Sequence, residues 1–144
     1  MIFKKVLLRE DKSIYLIRYT LLWLPFLKIR LHKIMLSDND CLHDHPWDFI
    51  SIILKGGYYE IKERPHPVPG CLWIDKTFLS PGAIVRRRAE DKHRVALKWD
   101  VKKCRYTPSW SLVFMFRRRR EWGFWTKAGK FVHHADYTLK QNCE

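Results

Sequence analysis

A chain of 144 residues fits one domain with a real core and leaves little room for a second, so residues 1–144 are read as a single domain. A formal net charge of +13 draws such a domain toward anions: nucleic acid, small phosphorylated or carboxylated molecules, or acidic lipid surfaces. No stretch approaches the roughly 18 consecutive apolar residues of a membrane helix, and the lack of a phosphate-binding loop, a dinucleotide-binding glycine motif or a nucleophile elbow argues against kinase, dehydrogenase and hydrolase functions.

In chain order, the segment from Ile2 to Arg18 reads as two short strands across a polar turn at Glu10 to Ser13. Phe26 to Met35 alternates as a half-buried strand, with Leu27, Ile29 and Leu31 on the apolar face and Lys28, Arg30 and His32 on the polar one, which places His32 in solvent. Residues 37 to 40, SDND, form a loop that delivers the chain to CLHDHPWDFISIILKGGYYE. There His43 and His45 are separated by one residue, so on an extended strand both imidazoles point to the same side, a metal-ligand spacing. The apolar run Phe49 to Leu54 has the length and β-branched content of a buried strand and ends at Gly56-Gly57, a pair suited to the positive φ of a tight hairpin. A strand resumes at Tyr58, residues 64 to 70 are too rich in proline for regular structure, and Leu72 to Leu79 is a strand again. Pro81-Gly82 then turns the chain into a pair of strands, Ala83 to Arg88 and His93 to Trp99, the second of which opens on a third histidine. Trp110 to Phe116 is another buried strand, followed by the basic run Arg117 to Arg120 and an aromatic segment. His133 and His134 are adjacent, would face opposite ways on a strand, and are not expected to serve one site.

Strands every 8 to 12 residues with turn signals between them, and no convincing amphipathic helix, are the signature of a β-sandwich or β-barrel. Its two turn-opened segments would bring His43, His45 and His93 together. Four cysteines without a C-x-x-C pair, and an N-terminus without the charged-apolar-small order of a secretory signal, lead to the expectation of a reduced, cytoplasmic protein.

With these residues in view, the sequence resembles the cupin superfamily of small β-barrels over about residues 27 to 116. The family's first motif, G-x5-H-x-H-x3,4-E-x6-G, lines up with His43, His45, Phe49 and Gly56, and its second, G-x5-P-x-G-x2-H, with Gly82, Arg88, Glu90 and His93. Ser37 stands where the leading glycine falls, Phe49 replaces the usual glutamate, and Arg88 and Glu90 replace proline and glycine. The HDHPWDF…GGY block looks like one found in small single-domain bacterial and phage proteins. The resemblance implies an all-β, antiparallel double-stranded β-helix, the jelly-roll barrel, with a metal at its centre and a homodimer formed through edge strands.

Three neutral imidazoles suit one divalent transition ion, Fe, Zn, Ni or Mn, with positions left open for water or substrate. Strict alternation puts Phe49 in phase with the histidines and Asp48 out of phase. Asp48 therefore either ligates through a bulge at Pro46 or orients an imidazole from behind. Trp47, Phe49, Ser51 and Tyr58 are candidate substrate-contacting walls. Arg87 shares a strand face with Val85 and either clamps an anion in the cavity or reaches water from the strand end. The expected function is a metal-dependent cupin enzyme of oxygenase or isomerase type acting on a small anionic substrate. The alternative is a noncatalytic barrel that binds an anionic ligand or nucleic acid through its arginines.

Overall fold

The structure is a computed structural model that describes residues 2–137. These residues form no helix; their strands are β1 (Phe3–Leu8), β2 (Ile14–Trp23), β3 (Leu27–Ile34), β4 (Leu42–His43), β5 (Trp47–Lys55), β6 (Tyr58–Pro65), β7 (Leu72–Leu79), β8 (Ile84–Arg87), β9 (Arg94–Ala96), β10 (Trp99–Asp100), β11 (Arg105–Tyr106), β12 (Ser109–Arg118), β13 (Gly123–Trp125) and β14 (Phe131–His133). The strands expected at either side of Glu10 to Ser13 pair as a hairpin, and Leu72 to Leu79 is a strand as read.

One wall is a six-stranded sheet in the order β1-β2-β3-β12-β5-β8, with antiparallel pairing throughout. The facing wall is built from two three-stranded sheets, β7-β6-β9 and β14-β13-β4. The seam between them is an isolated antiparallel bridge in which His43 and His93 exchange backbone hydrogen bonds of 2.9 and 3.0 Å. Two of the three histidines are thus set side by side by the backbone itself. This is the antiparallel jelly-roll arrangement, in which each sheet supplies one face of the interior.

The turn between β5 and β6 holds Gly56 at φ +82° and Gly57 at φ +75°. A Cβ on Gly56 would also lie 2.1 Å from the carbonyl oxygen of Pro108, so both backbone conformation and space demand glycine. Gly56→Ala is expected to cost more than about 1 kcal/mol, measured by chemical denaturation; an unchanged midpoint would contradict this account.

Along β5 the inward phase is Phe49, Ser51 and Ile53, all buried, as alternation predicts. Ile53 packs with Tyr58, Val95 and Leu97 at one end of the interior, and Phe49 with Val113 and Met115 at the other.

Three expectations are corrected. On β3 the inward face is the polar one: Arg30 is buried and His32 turns into the interior, while Ile29 and Leu31 cover the outer side. The segments Ala83 to Arg88 and His93 to Trp99 do not pair with each other, because β8 joins β5 and β9 joins β6, on opposite walls. Cys41 is buried and disulfide-bonded, against the expectation of four reduced thiols, whereas Cys71 and Cys104 are free and exposed.

Candidate metal centre

The structure brings His43, His45 and His93 to one point, each offering a ring nitrogen, with those atoms within 4.8 Å of one another. The ring centroids are 4.9 to 5.0 Å apart in every pairing. Nε2 of His93 and Nε2 of His45 face each other at 3.4 Å. His43 ends β4, His93 lies across the bridge from it, and the backbone N–H of His45 donates to the carbonyl of Ala89 at 2.9 Å, which fixes the second half of the pair.

Glu60, on β6, orients His93. It is 1% exposed, and its Oε1 accepts from Nδ1 of His93 at 2.7 Å and from Nε of Arg87 at 2.8 Å. Its Oε2 accepts from Nη2 of Arg87 and faces Nζ of Lys62 at 3.3 Å. Burial acts to raise the Glu60 carboxyl, but the hydrogen bonds from His93 and Arg87 outweigh it and hold the group far below the usual carboxylate range. An ionised carboxylate only accepts, so Nδ1 of His93 carries the proton and Nε2 presents its lone pair to the centre. Asp38 plays a looser version of this role behind His43, 3.6 Å from its Nδ1, while accepting from Val95 N–H at 2.7 Å and from the Tyr15 hydroxyl.

Burial holds His43 down to about 4, against the opposing pull of Asp38, and holds His45 well below its ordinary value, with His43 and His93 adding to the effect. Neutral imidazoles are the form a metal takes. His45 also has a buried Nδ1 with no hydrogen-bond partner. The donor set therefore fits a divalent transition ion: three ring nitrogens converge on one point, and one of the imidazoles is oriented from behind by a carboxylate.

The cavity around the histidines has a volume of about 620 Å³. Trp47, Phe49, Ser51 and Tyr58, expected as walls, all line it. Phe49 packs on His45 with ring centroids at 4.6 Å, in the place where a carboxylate ligand stands in the motif. Tyr58 is buried, and burial, with Glu60 nearby, pushes its phenol up, so it remains a neutral hydroxyl beside the site.

Asp48 and Arg87 are placed differently from expectation. Asp48 follows strict alternation, faces away from the histidines, and accepts from Ala89 N–H at 2.8 Å and from Arg119 at 2.6 Å. Its hydrogen bonds go to Ala89 and Arg119 rather than to the three imidazoles. Arg87 does occupy the Val85 face, directly across from Phe49, but its guanidinium is committed to Glu60 and does not line the cavity. The basic run is likewise engaged: Arg118 pairs with Glu121, Arg119 with Asp48 and Glu90, and Arg120 with the fully buried Asp44. Asp44 also accepts from Gly123 N–H at 2.8 Å and Trp125 Nε1 at 3.0 Å, which docks β13 beside β4.

His133 and His134 correct the view that they cannot share a site. β14 ends at His133 and the chain turns, so both imidazoles meet Glu121 with ligand atoms within 4.8 Å of one another, on the surface. His133 is 3.0 Å from the Glu121 carboxylate, and His134 stacks on Trp122 at 4.7 Å.

Because His43, His45 and His32 are neutral in the fold and protonate near 6.5 once unfolded, the unfolded chain binds more protons below that pH. Stability of the metal-free protein is therefore expected to fall by about 1.4 kcal/mol per pH unit for each of them as pH drops below about 6.5. Denaturation midpoints recorded at pH 7, 6 and 5 would test this, and a flat profile would refute it.

No protein-family model matches the chain, and no curated protein matches it in sequence. Its likeness is to solved structures. A cupin-2 domain protein from Rhodospirillum rubrum superposes with a TM-score of 0.62 at 14% identity, over 89% of this chain and 78% of that one. A cupin-2 conserved barrel protein from Rhodopseudomonas palustris gives 0.60 at 11% identity, over 89% and 80%. The Fe(II) form of the enzyme HppE gives 0.58 at 15% identity, over 80% of this chain but 56% of that one, so this chain spans little more than half of that enzyme's length. The chain has the cupin fold, the jelly-roll barrel that its histidine motifs resemble.

Proposed function

We propose that this protein is a metal-dependent cupin enzyme, of oxygenase or isomerase type, that acts on a small anionic molecule. The observation that carries the reading is the convergence of His43, His45 and His93 on the wall of a cavity, with Glu60 fixing the tautomer of one of them. The three imidazoles would hold one divalent transition ion, which supplies Lewis acidity, and with iron also dioxygen chemistry, at its open positions. Phe49 fills the side where a fourth protein ligand would stand, keeping those positions for water or substrate. Trp47, Phe49 and Phe124 wall the cavity with apolar surface, which excludes water and strengthens every polar contact made inside. Tyr58, held neutral, and Ser51 offer hydroxyl groups that can orient a substrate or hold a proton near the centre.

Support also comes from the neighbours in fold, which include a protein described as a putative mannose-6-phosphate isomerase at TM-score 0.50 and 20% identity, and a polyketide cyclase, RemF, at 0.60 and 11%. These proteins are named for different reactions, so they support the class and leave the substrate to the cavity. A nucleic-acid-binding role for Arg117 to Arg120 is disfavoured, because Arg118, Arg119 and Arg120 are each paired with carboxylates of the same chain. Elemental analysis of protein purified without a histidine tag, and again after anaerobic reconstitution, is expected to find about one transition ion per chain. Its absence under both conditions would overturn the reading.

A further inference from the structure

The wall of the cavity formed by β2 and β3 carries positive charge that no ion pair neutralises among the described residues, although the carboxylates of Glu10 and Asp38 line the same cavity. In register across the sheet stand Arg18 on β2, His32 on β3 and Ser111 on β12, and all three line the cavity. One pair further along, Arg30 lies inward between Thr20 and Val113 and is 7% exposed. Among the described residues neither arginine is ion-paired with a carboxylate. Arg30 meets only soft partners: its Nη1 is 3.6 Å from the sulfur of Met115, and its guanidinium lies 5.8 and 6.0 Å from the rings of Trp23 and Trp47. Nε of Arg18, Nε of Arg30 and Nε2 of His32 are all buried without a hydrogen-bond partner. The nearby carboxylate of Asp38 is already occupied by Tyr15 and Val95.

Such an arrangement is costly. A desolvated guanidinium without an anion loses its hydration and recovers little, and two of them side by side repel. Burial and then the charge of Arg30 bring Arg18 down to about 10, and burial and then both arginines bring His32 down to about 3. Elsewhere in this fold buried charge is matched closely, as Glu60 with Arg87 and Asp44 with Arg120 show. An unmatched cluster that faces a cavity is therefore a binding feature, since a planar guanidinium fork suits the paired oxygens of a carboxylate or phosphoryl group.

We infer that Arg18, His32 and Ser111, with the charge of Arg30 behind them, form an oxyanion subsite that holds the carboxylate or phosphoryl group of the substrate in the cavity that the three histidines also line. The inference deepens the enzyme reading above and rests on it for the word substrate. It replaces Arg87 as the anchor for negative charge. It also sets the substrate's outline: an oxyanion at one end, and the group that changes at the other, next to His43, His45 and His93.

The test uses the full chain with inorganic phosphate and with malonate as probes, against chloride at equal ionic strength. In chloride, Arg18→Met is expected to raise the melting temperature, because it removes a buried charge that has no partner. At least one probe is expected to bind the unsubstituted protein and to bind Arg18→Met at least tenfold more weakly, with metal content the same in both. Tighter response to phosphate identifies a phosphoryl substrate, and to malonate a carboxylate. His45→Ala separates the two readings, since Arg18-dependent binding is expected to persist when the metal ligand is gone. A lower melting temperature or failure to fold for Arg18→Met in chloride would show that Arg18 has a structural partner and would overturn the subsite. So would probe binding that is absent or independent of Arg18.

Discussion

Protein carrying His45→Ala is expected to hold no transition ion above background while remaining folded. Two imidazoles would be left, and nothing in the cavity takes the place of the third: Phe49 packs where a carboxylate would stand, and Asp48 is held outside by Ala89 and Arg119. Folding survives because the buried Nδ1 of His45 makes no hydrogen bond and its Nε2 meets only Nε2 of His93 at 3.4 Å, so its removal costs mainly packing, about 1–2 kcal/mol. Metal analysis beside a thermal melt reads both parts. Stoichiometric metal in His45→Ala would remove this histidine from the centre.

Glu60→Gln is expected to be costlier to the fold, by about 3 kcal/mol, and to weaken metal binding by roughly 10–100-fold. The carboxylate accepts on both oxygens, from His93 and Arg87 on one and from Arg87, with Lys62 close by, on the other. An amide has one oxygen, so either orientation turns its N–H groups against a donor. If the amide nitrogen meets His93, Nδ1 becomes the acceptor, the proton moves to Nε2, and the lone pair that faces the centre is lost. Arg87→Ala should reproduce part of this loss, since it strips the same carboxylate of its main partner. Denaturation curves and metal titrations on the two variants check the ordering, and a Glu60→Gln protein with unchanged metal affinity would break the link between Glu60 and His93.

What could be read from the sequence is what local rules govern. The spacing of His43 and His45, the Gly56-Gly57 turn and the alternation of Phe49, Ser51 and Ile53 each depend on a few neighbouring residues, and each is found as read. Strand pairing was less legible, because β8 and β9 are adjacent in sequence yet join opposite walls, a choice made by distant partners. The inner face of β3 misleads for a different reason. The rule that apolar residues point inward assumes a filled interior, and this interior is a cavity whose wall admits a histidine, so Arg30 and His32 turn in while Ile29 and Leu31 cover the outside. Glu60 had a signal that alternation alone contains: it is in phase with Tyr58, directly after the turn, and so on the same inward face. Asp38 left only the mark of a polar loop, since its contacts to Tyr15, Val95 and His43 join three parts of the chain.

The bridge between His43 and His93 bears on how quickly the site can form. It is the seam of the second wall, joining β4 to β9, and it closes only after segments far apart in the chain have met. Topologies dominated by such distant pairings fold in about milliseconds to seconds, because chain entropy is lost before contacts return it. A metal ion held by the three histidines would find them together only after that step. Interactions made after the barrier act on escape from the native state and leave the approach to it alone. The ion is therefore expected to lengthen the lifetime of the folded chain without hastening its formation.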